Sequence, residues 1–410
     1  MFLASCVGLM ALVYLSFALY FHIRRPIVAE VDDSGLKVEL MHIEEDANVF
    51  AVCVAMVKEH NVSDETFLRE LHRASTLPYY QSTTNDISNH LCSVMSLPKI
   101  ARRFEVAVEV LREKKEFWPA TRAVGDFYVI ARRCRDNALS VVEESVASSL
   151  CSVAHVQAAR LSAAEDAPEE VLDALRGIVG GEADYSAIFD RVKKCEYTYW
   201  CKPSLFRITG EGECDKEALF AEVQRVLLPK VGWCAPAVGR LLVNTPGYRQ
   251  FSFQKKAVLQ NLASILSEAK LDGGDWDLGA TKTGILSPNW YGRLVVAECE
   301  SAWSLLQETL VGNMMRDRFI RVIVALQLYA RKHGGQYPVS IDALVPEYLA
   351  AVPRDPYDVS SEIKYSVAEK IVWSVGENRK YATPPCASSK KLMRDFSRWA
   401  MRIDGRPLPP

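Results

Sequence analysis

Gly335-Gln336-Tyr337-Pro338, then Ala343-Leu344-Val345-Pro346, then Val352-Pro353-Arg354-Asp355-Pro356-Tyr357 follow an apolar run from Arg316 to His333. In that run Phe319, Val322, Ile323, Leu326 and Ala330 fall on one helical face, and Ile320, Val324 and Leu328 widen it, so the helix must be covered on most sides. Gly334-Gly335 ends it, and Tyr337-Pro338 restarts the chain extended, because the residue before proline is pushed out of the α region. Ser340 is placed to cap a brief second helix with Asp342 in its first turn and Ile341, Leu344 and Val345 on its apolar face, closed by Pro346. Pro353 and Pro356 stiffen the connector around Arg354-Asp355, whose role is to fix a turn. Ile363 to Val367 and Lys370 to Val375 then alternate as two strands about Ala368-Glu369, with Gly376 ending the second. The predicted order is helix, short helix, proline loop, hairpin.

That order resembles the C-terminal part of the major pseudopilin of type II secretion systems. The matching residues are Gly335, Tyr337, Pro338, Ala343, Leu344, Val345, Pro353, Asp355, Pro356, Tyr365, Ser366, Ser374, Val375 and Gly376. They cover about a sixth of the chain. Three departures restrict what the resemblance implies. The basic leader, Gly-Phe cleavage site and early Glu of a prepilin have no counterpart at this N-terminus, and nearly three hundred residues separate the hydrophobic start from Phe319, so fibre stacking is not expected. The acidic, glycine-rich loop with which the pseudopilin holds calcium is replaced by Gly376-Glu377-Asn378-Arg379-Lys380-Tyr381, which lacks the convergent oxygens a hard cation needs. The whole chain also resembles a large family of membrane-anchored planctomycete and verrucomicrobial proteins. Its landmarks here are Glu44-Glu45-Asp46-Ala47-Asn48, Phe251-Ser252-Phe253-Gln254 and Asn289-Trp290-Tyr291-Gly292-Arg293-Leu294. No activity comes with that resemblance.

Met1 to Ile23 carries no charged side chain, and at ~1.5 Å per residue it is long enough for a ~30 Å hydrocarbon core. The expectation is a transmembrane anchor over 1–23 followed by a juxtamembrane linker over 24–40. A cleaved signal peptide is the rival, weakened by the missing basic n-region and the length of the apolar run, although Ser16-Phe17-Ala18 has a small-x-small form. Leu3-Ala4-Ser5-Cys6 has the letters of a lipoprotein box but precedes its hydrophobic segment instead of following it. Arg24 and Arg25 favour a cytoplasmic body, whereas the pseudopilin resemblance implies a periplasmic one; we take the latter, in a bacterial inner-membrane, single-pass protein.

From about Met41 to Gly312 the pattern is helical. Tyr185, Ile188, Phe189 and Val192 share a face, as do Leu219, Phe220, Val223 and Leu227 after Asp215, and Leu259, Leu262, Ile265 and Leu266. Pro168-Glu169-Glu170 opens another helix, because a missing N–H and early carboxylates suit a helix N-terminus. Breaks are expected near Pro78, Pro98, Pro119, Gly180-Gly181, Pro203 to Gly212, Pro246-Gly247 and Gly273 to Pro288. The fold expected is mainly α: an irregular helical bundle or helical-hairpin array over 41–312, a small α+β cap with a β-hairpin over 313–385, and a C-terminal tail over 386–410.

A net charge of −2 across 410 residues leaves no basic field, so nucleic acid is not an expected partner. The eleven cysteines form no Cys-x-x-Cys; the densest set, Cys195, Cys201, Cys214 and Cys234, is too widely spaced for a structural zinc site. In an exported body these four are candidates for a disulfide, such as Cys195 with Cys201 or Cys214; buried apolar thiols are the simpler reading. His60, His72, His90, His155 and His333 form no metal-protease pattern, and no nucleophile elbow or phosphate loop is present. No catalytic residue, metal or cofactor is assigned. Two functions remain. One is a non-enzymatic envelope protein that contacts the bilayer through 1–23 and binds a protein of a secretion or pilus-type assembly. The other is an exported hydrolase or carbohydrate-binding protein with an inter-helical cleft lined by Trp276, Trp290, Tyr291 and Trp303.

Overall fold

The structure, a computed structural model, describes residues 15–16, 18–24, 30–36, 38, 40, 43–59, 62–82, 92–201, 216–231, 235–246, 248–253, 255–269, 271, 289–376 and 400–404. It is mainly helical with two small sheets. We number the helices α1 Val49–Lys58, α2 Asp64–Thr76, α3 Pro98–Glu113, α4 Phe117–Asp136, α5 Val141–Ser162, α6 Glu169–Val179, α7 Tyr185–Cys195, α8 Lys216–Val231, α9 Ala235–Asn244, α10 Tyr248–Ser252, α11 Lys255–Glu268 and α12 Trp290–Lys332. The strands are β1 Arg354–Asp355, β2 Asp358–Glu362, β3 Lys364–Ser366, β4 Ile371–Trp373 and β5 Ala400–Arg402.

Local signals place several helix starts. Asn48, Ser63 and Ser140 cap α1, α2 and α5 by accepting from Phe50 N, Thr66 N and Glu143 N, each satisfying a backbone N–H that the first turn leaves without an intrahelical partner. Two of the expected breaks, near Pro98 and Pro119, are the points where new helices start. Pro98 is the first residue of α3, and Pro119 sits in the first turn of α4, where a ring without an N–H removes no helical bond.

The chain divides into two compact units, residues 1–40 with 192–305 and residues 41–191 with 306–410. This differs from the expected 41–312 body and 313–385 cap. In the second unit α4 packs on α2, α3, α5 and α6. The segment of α12 from Phe319 to Leu328 is buried almost throughout and shares one core with Phe104, Phe127 and Leu150 of the helices and with Ile341, Leu344, Ile363 and Val372 of the cap. The cap is therefore a part of this core and not a separate body. In the first unit, Asn289 N donates to Phe251 O at 2.7 Å and the rings of Phe253 and Tyr291 lie 5.7 Å apart, which brings two of the sequence landmarks together.

In the cap, α12 ends at Gly334 (φ 63°) and Gly335 (φ 87°), a backbone that glycine adopts without strain. Ser340 caps a 3-10 turn, Ile341–Leu344, in which Ile341 and Leu344 are buried while Val345, expected beside them, is exposed. Asp355 is fully buried and does not pair with Arg354: its carboxylate accepts from Tyr357 N (2.9 Å), Ser374 Oγ (2.8 Å) and Val375 N (2.8 Å). One side chain thus fixes the proline connector and ties it to the strand end at Gly376 (φ 69°). β3 and β4 pair antiparallel as expected. The expected 386–410 tail requires correction, because β5 pairs antiparallel with β4 and Ile403 is buried. An uncovered β4 would leave a row of backbone groups unpaired, and β5 supplies their partners.

The expected 1–23 anchor falls mostly outside the described residues. Among the described residues no helix is long and apolar enough to cross a membrane. Of the expected 24–40 linker, Ser34–Leu36 is a 3-10 turn held to the first unit: Tyr197 Oη donates to Asp33 at 3.1 Å, Thr198 Oγ1 to Leu36 O at 2.8 Å and Tyr199 Oη to Val38 O at 2.8 Å. The shared core of the second unit makes a stability prediction. Leu326→Ala removes a fully buried side chain and lowers its unfolding free energy by about 2–5 kcal/mol in chemical denaturation. Val359→Ala, on an exposed strand position, leaves it within about 0.5 kcal/mol.

Candidate binding groove

α4 floors an open groove of about 1090 Å³ whose walls are α2 and α6. Its floor residues Trp118, Arg122, Gly125, Val129 and Arg132 recur every three or four positions, so they form one helical stripe ~21 Å long. Leu68, Arg69 and His72 line one wall, and Ala174, Gly177 and Ile178 the other. Gly125 sets how close the second wall comes, since a Cβ there would lie 3.2 Å from Ile178 Cδ1; a Cβ on Gly177 would meet nothing within 4 Å. Trp118 is 56% exposed and Val129 37%, unusual for large apolar side chains inside one concavity.

The groove is apolar with a positive bias. Among its lining residues three are arginines and Asp126 alone carries a carboxylate. That carboxylate is already engaged: His72 Nδ1 lies 3.0 and 3.1 Å from its two oxygens, and Ser75 Oγ donates to Oδ1 at 2.6 Å. Arg69 has only a long ion pair to Glu70, 3.9 Å, and Arg122 and Arg132 have no carboxylate partner among the described residues.

Beneath the floor, Tyr128 connects the groove to a buried charge network. Its ring lies 5.4 Å from that of His155. Asp317 of α12 accepts from Tyr185 Oη at 2.5 Å and Arg135 Nη1 at 3.2 Å, and Arg135 Nη1 also donates to Tyr185 Oη at 2.9 Å. His155 Nε2 stands at ion-pair distance, 3.1 Å, from Asp317 Oδ1, but without the alignment of a hydrogen bond. Burial drives the Asp317 carboxyl upward, yet His155, Arg135 and Tyr185 more than reverse this and hold it well below the usual carboxylate range. Burial likewise opposes the Arg135 charge, and the Asp317 carboxylate 3.2 Å away offsets it. Because burial pushes the Cys151 thiol itself up to about 12, it is neutral at pH 7 and Asp317 supplies the compensating charge.

One turn away, Glu144 accepts from Ser148 Oγ at 2.6 Å and from Asn313 Nδ2 at 3.4 Å. Glu143 accepts from Leu139 N, Ser82 Oγ and Tyr80 Oη. Burial raises both carboxyls to about 7, against the lowering effect of those hydrogen bonds.

The residues singled out from sequence fall elsewhere. Gly335, Tyr337, Pro338, Pro353, Asp355, Pro356 and Gly376 all lie in the cap and shape its turns. Cys195 is buried; the side chains of Cys201, Cys214 and Cys234 lie outside the described residues, as does Trp276. Trp290 and Trp303 are buried, and Tyr291 is partly so, and none lines the groove. Among the described residues no three metal-ligating side chains converge. The groove was missed because its stripe mixes Trp, Arg, Gly and Val, which reads as an ordinary solvated face until α2 and α6 stand on either side. Comparisons of the chain with protein-family models, with curated proteins and with solved structures find no match.

The pH dependence of stability follows from these carboxyls. Asp317, lowered on folding, contributes stability that is present above its unfolded pKa of ~3.9 and lost as pH falls. Glu144, raised on folding, contributes stability below ~4.3 that is lost as pH rises through about 7. Glu144→Gln keeps an acceptor for Ser148 and removes the buried charge, so at pH 8 it unfolds at higher denaturant concentration than the wild type and flattens the alkaline decline. Asp317→Asn strands the Arg135 charge and costs about 3–5 kcal/mol at pH 7.

Proposed function

We propose that this is a non-enzymatic, membrane-tethered envelope protein of a bacterial inner membrane. Its α2–α4–α6 groove docks a segment of a partner protein belonging to a secretion or pilus-type assembly. The observation that carries the reading is the groove itself: an exposed apolar stripe with Trp118 at one end, flanked by arginines that have no strong acidic partner. Such a surface suits a segment with an apolar face and acidic neighbours, because apolar burial supplies affinity while Arg69, Arg122 and Arg132 steer and orient the complementary charge. The C-terminal likeness to the major pseudopilin and the uncharged Met1–Ile23 run supply the assembly and the tether. The hydrolase reading has less to rest on, since paired carboxylates are the minimum for acid-base glycoside chemistry and the groove lining contains one carboxylate, already held by His72 and Ser75.

A photo-crosslinking amino acid replacing Trp118 in cells tests this. The expected result is an adduct mapped to an acidic, apolar segment of one envelope protein. It should be lost when Gly177→Phe fills the groove and reduced at least tenfold by Arg122→Glu with Arg132→Glu. An adduct pattern unchanged by all three substitutions would remove the groove as the docking site.

A further inference from the structure

Residues 15, 16 and 18–24 are helical, and the two sides of that short helix differ sharply. Phe21 is fully buried, its ring centroid 4.8 Å from Tyr248 and 4.9 Å from Phe251 in T-shaped and tilted contacts, while Tyr20 lies 5.7 Å from Phe251. Leu15, Leu19 and Ile23 are 62%, 59% and 65% exposed. At about 100° per residue these three occupy an arc of roughly 80°, and Phe21 stands about 160° from its centre. One face is thus keyed into α10, and the opposite face is a bare aliphatic stripe. The segment behind the helix is fixed as well: Asp32 N donates to Gln260 Oε1 at 3.0 Å, and Asp33, Leu36 and Val38 are bonded by Tyr197, Thr198 and Tyr199.

We infer that Leu15, Leu19 and Ile23 contact the acyl chains of a lipid bilayer while Phe21 clamps the same helix to the first unit, so that unit sits flush on the membrane with no free tether. The inference rests on the tether named under the proposed function. Three features select lipid as the occupant. The sequence ahead of Leu15 continues uncharged and apolar. Tyr20, 39% exposed between the buried and bare faces, has the amphipathic ring that favours the headgroup level. His22 and Arg24 are exposed where the apolar stripe ends, as suits polar groups that reach water from the edge of a bilayer.

The test uses the full chain reconstituted into phosphatidylcholine vesicles that include a phosphatidylcholine with a photoactivatable acyl chain. Flotation reads the tether, and the position of lipid adducts reads the seat. The expected result is co-flotation with adducts at Leu15, Leu19 and Ile23 and none at Phe21, Tyr248 or Phe251. Phe21→Ala should leave flotation unchanged but spread adducts to Tyr248 and Phe251, and Leu19→Gln should lose the adduct at its own position while the other two persist. Co-flotation with adducts spread evenly around the helix would overturn the seat while leaving the tether standing. Crosslinks from the stripe to a second copy of the chain, without lipid adducts, would reassign it as a self-association seam. Failure to co-float would remove the tether, and the seat with it.

Discussion

Asp317 is the constraint on which the second unit depends. A carboxylate buried on α12 can stay ionised only if charge and hydrogen bonds replace the water it loses, and here they come from α4 through Arg135, α5 through His155 and α7 through Tyr185. The network therefore specifies which helices meet at α12 and at what register, since an apolar residue in its place would tolerate a shift that Asp317 does not. Asn313, one turn earlier, extends the same role to Ser148 and Glu144.

That rigidity is what gives the groove its shape. The buried network and the groove share α4: Arg135 and Tyr128 look inward, and Trp118, Arg122, Val129 and Arg132 line the open side. A helix pinned from beneath presents its outer stripe at a fixed spacing from α2 and α6, which would lower the entropic cost of the docking we propose. Asp126 contributes on the same helix by holding His72 and Ser75 of α2, so the first wall is tied to the floor by a charge-assisted contact.

In the cap, a second buried aspartate acts in the same manner at smaller scale. Asp355 collects the Tyr357 N–H just past the proline connector and the Val375 N–H and Ser374 hydroxyl at the end of β4, and that explains why an acid sits between two prolines there. The other turn and strand-end residues, Gly335, Tyr337, Pro338, Pro353, Pro356 and Gly376, shape the rest of the cap. None of them reaches the groove.

The helices and the cap were largely legible. Apolar spacing at Tyr185, Ile188, Phe189 and Val192 marks α7, and the glycine and proline positions after Arg316 mark where α12 stops and the hairpin begins. These are local signals, in which backbone preference and side-chain period agree within a few residues. The groove, the Asp317 network and β5 were not legible, for a different reason. Arg135, His155, Tyr185 and Asp317 are spread over more than 180 positions, and no local pattern pairs them; only packing takes these groups out of water and makes them partners. β5 has three residues and gains its stability from the edge of β4, which no local pattern announces. The sequence by itself determined where the helices lie and how the cap turns, because those depend on neighbours along the chain. The tertiary structure decided which charges are buried and which apolar faces stay bare, because solvent exposure depends on neighbours in space.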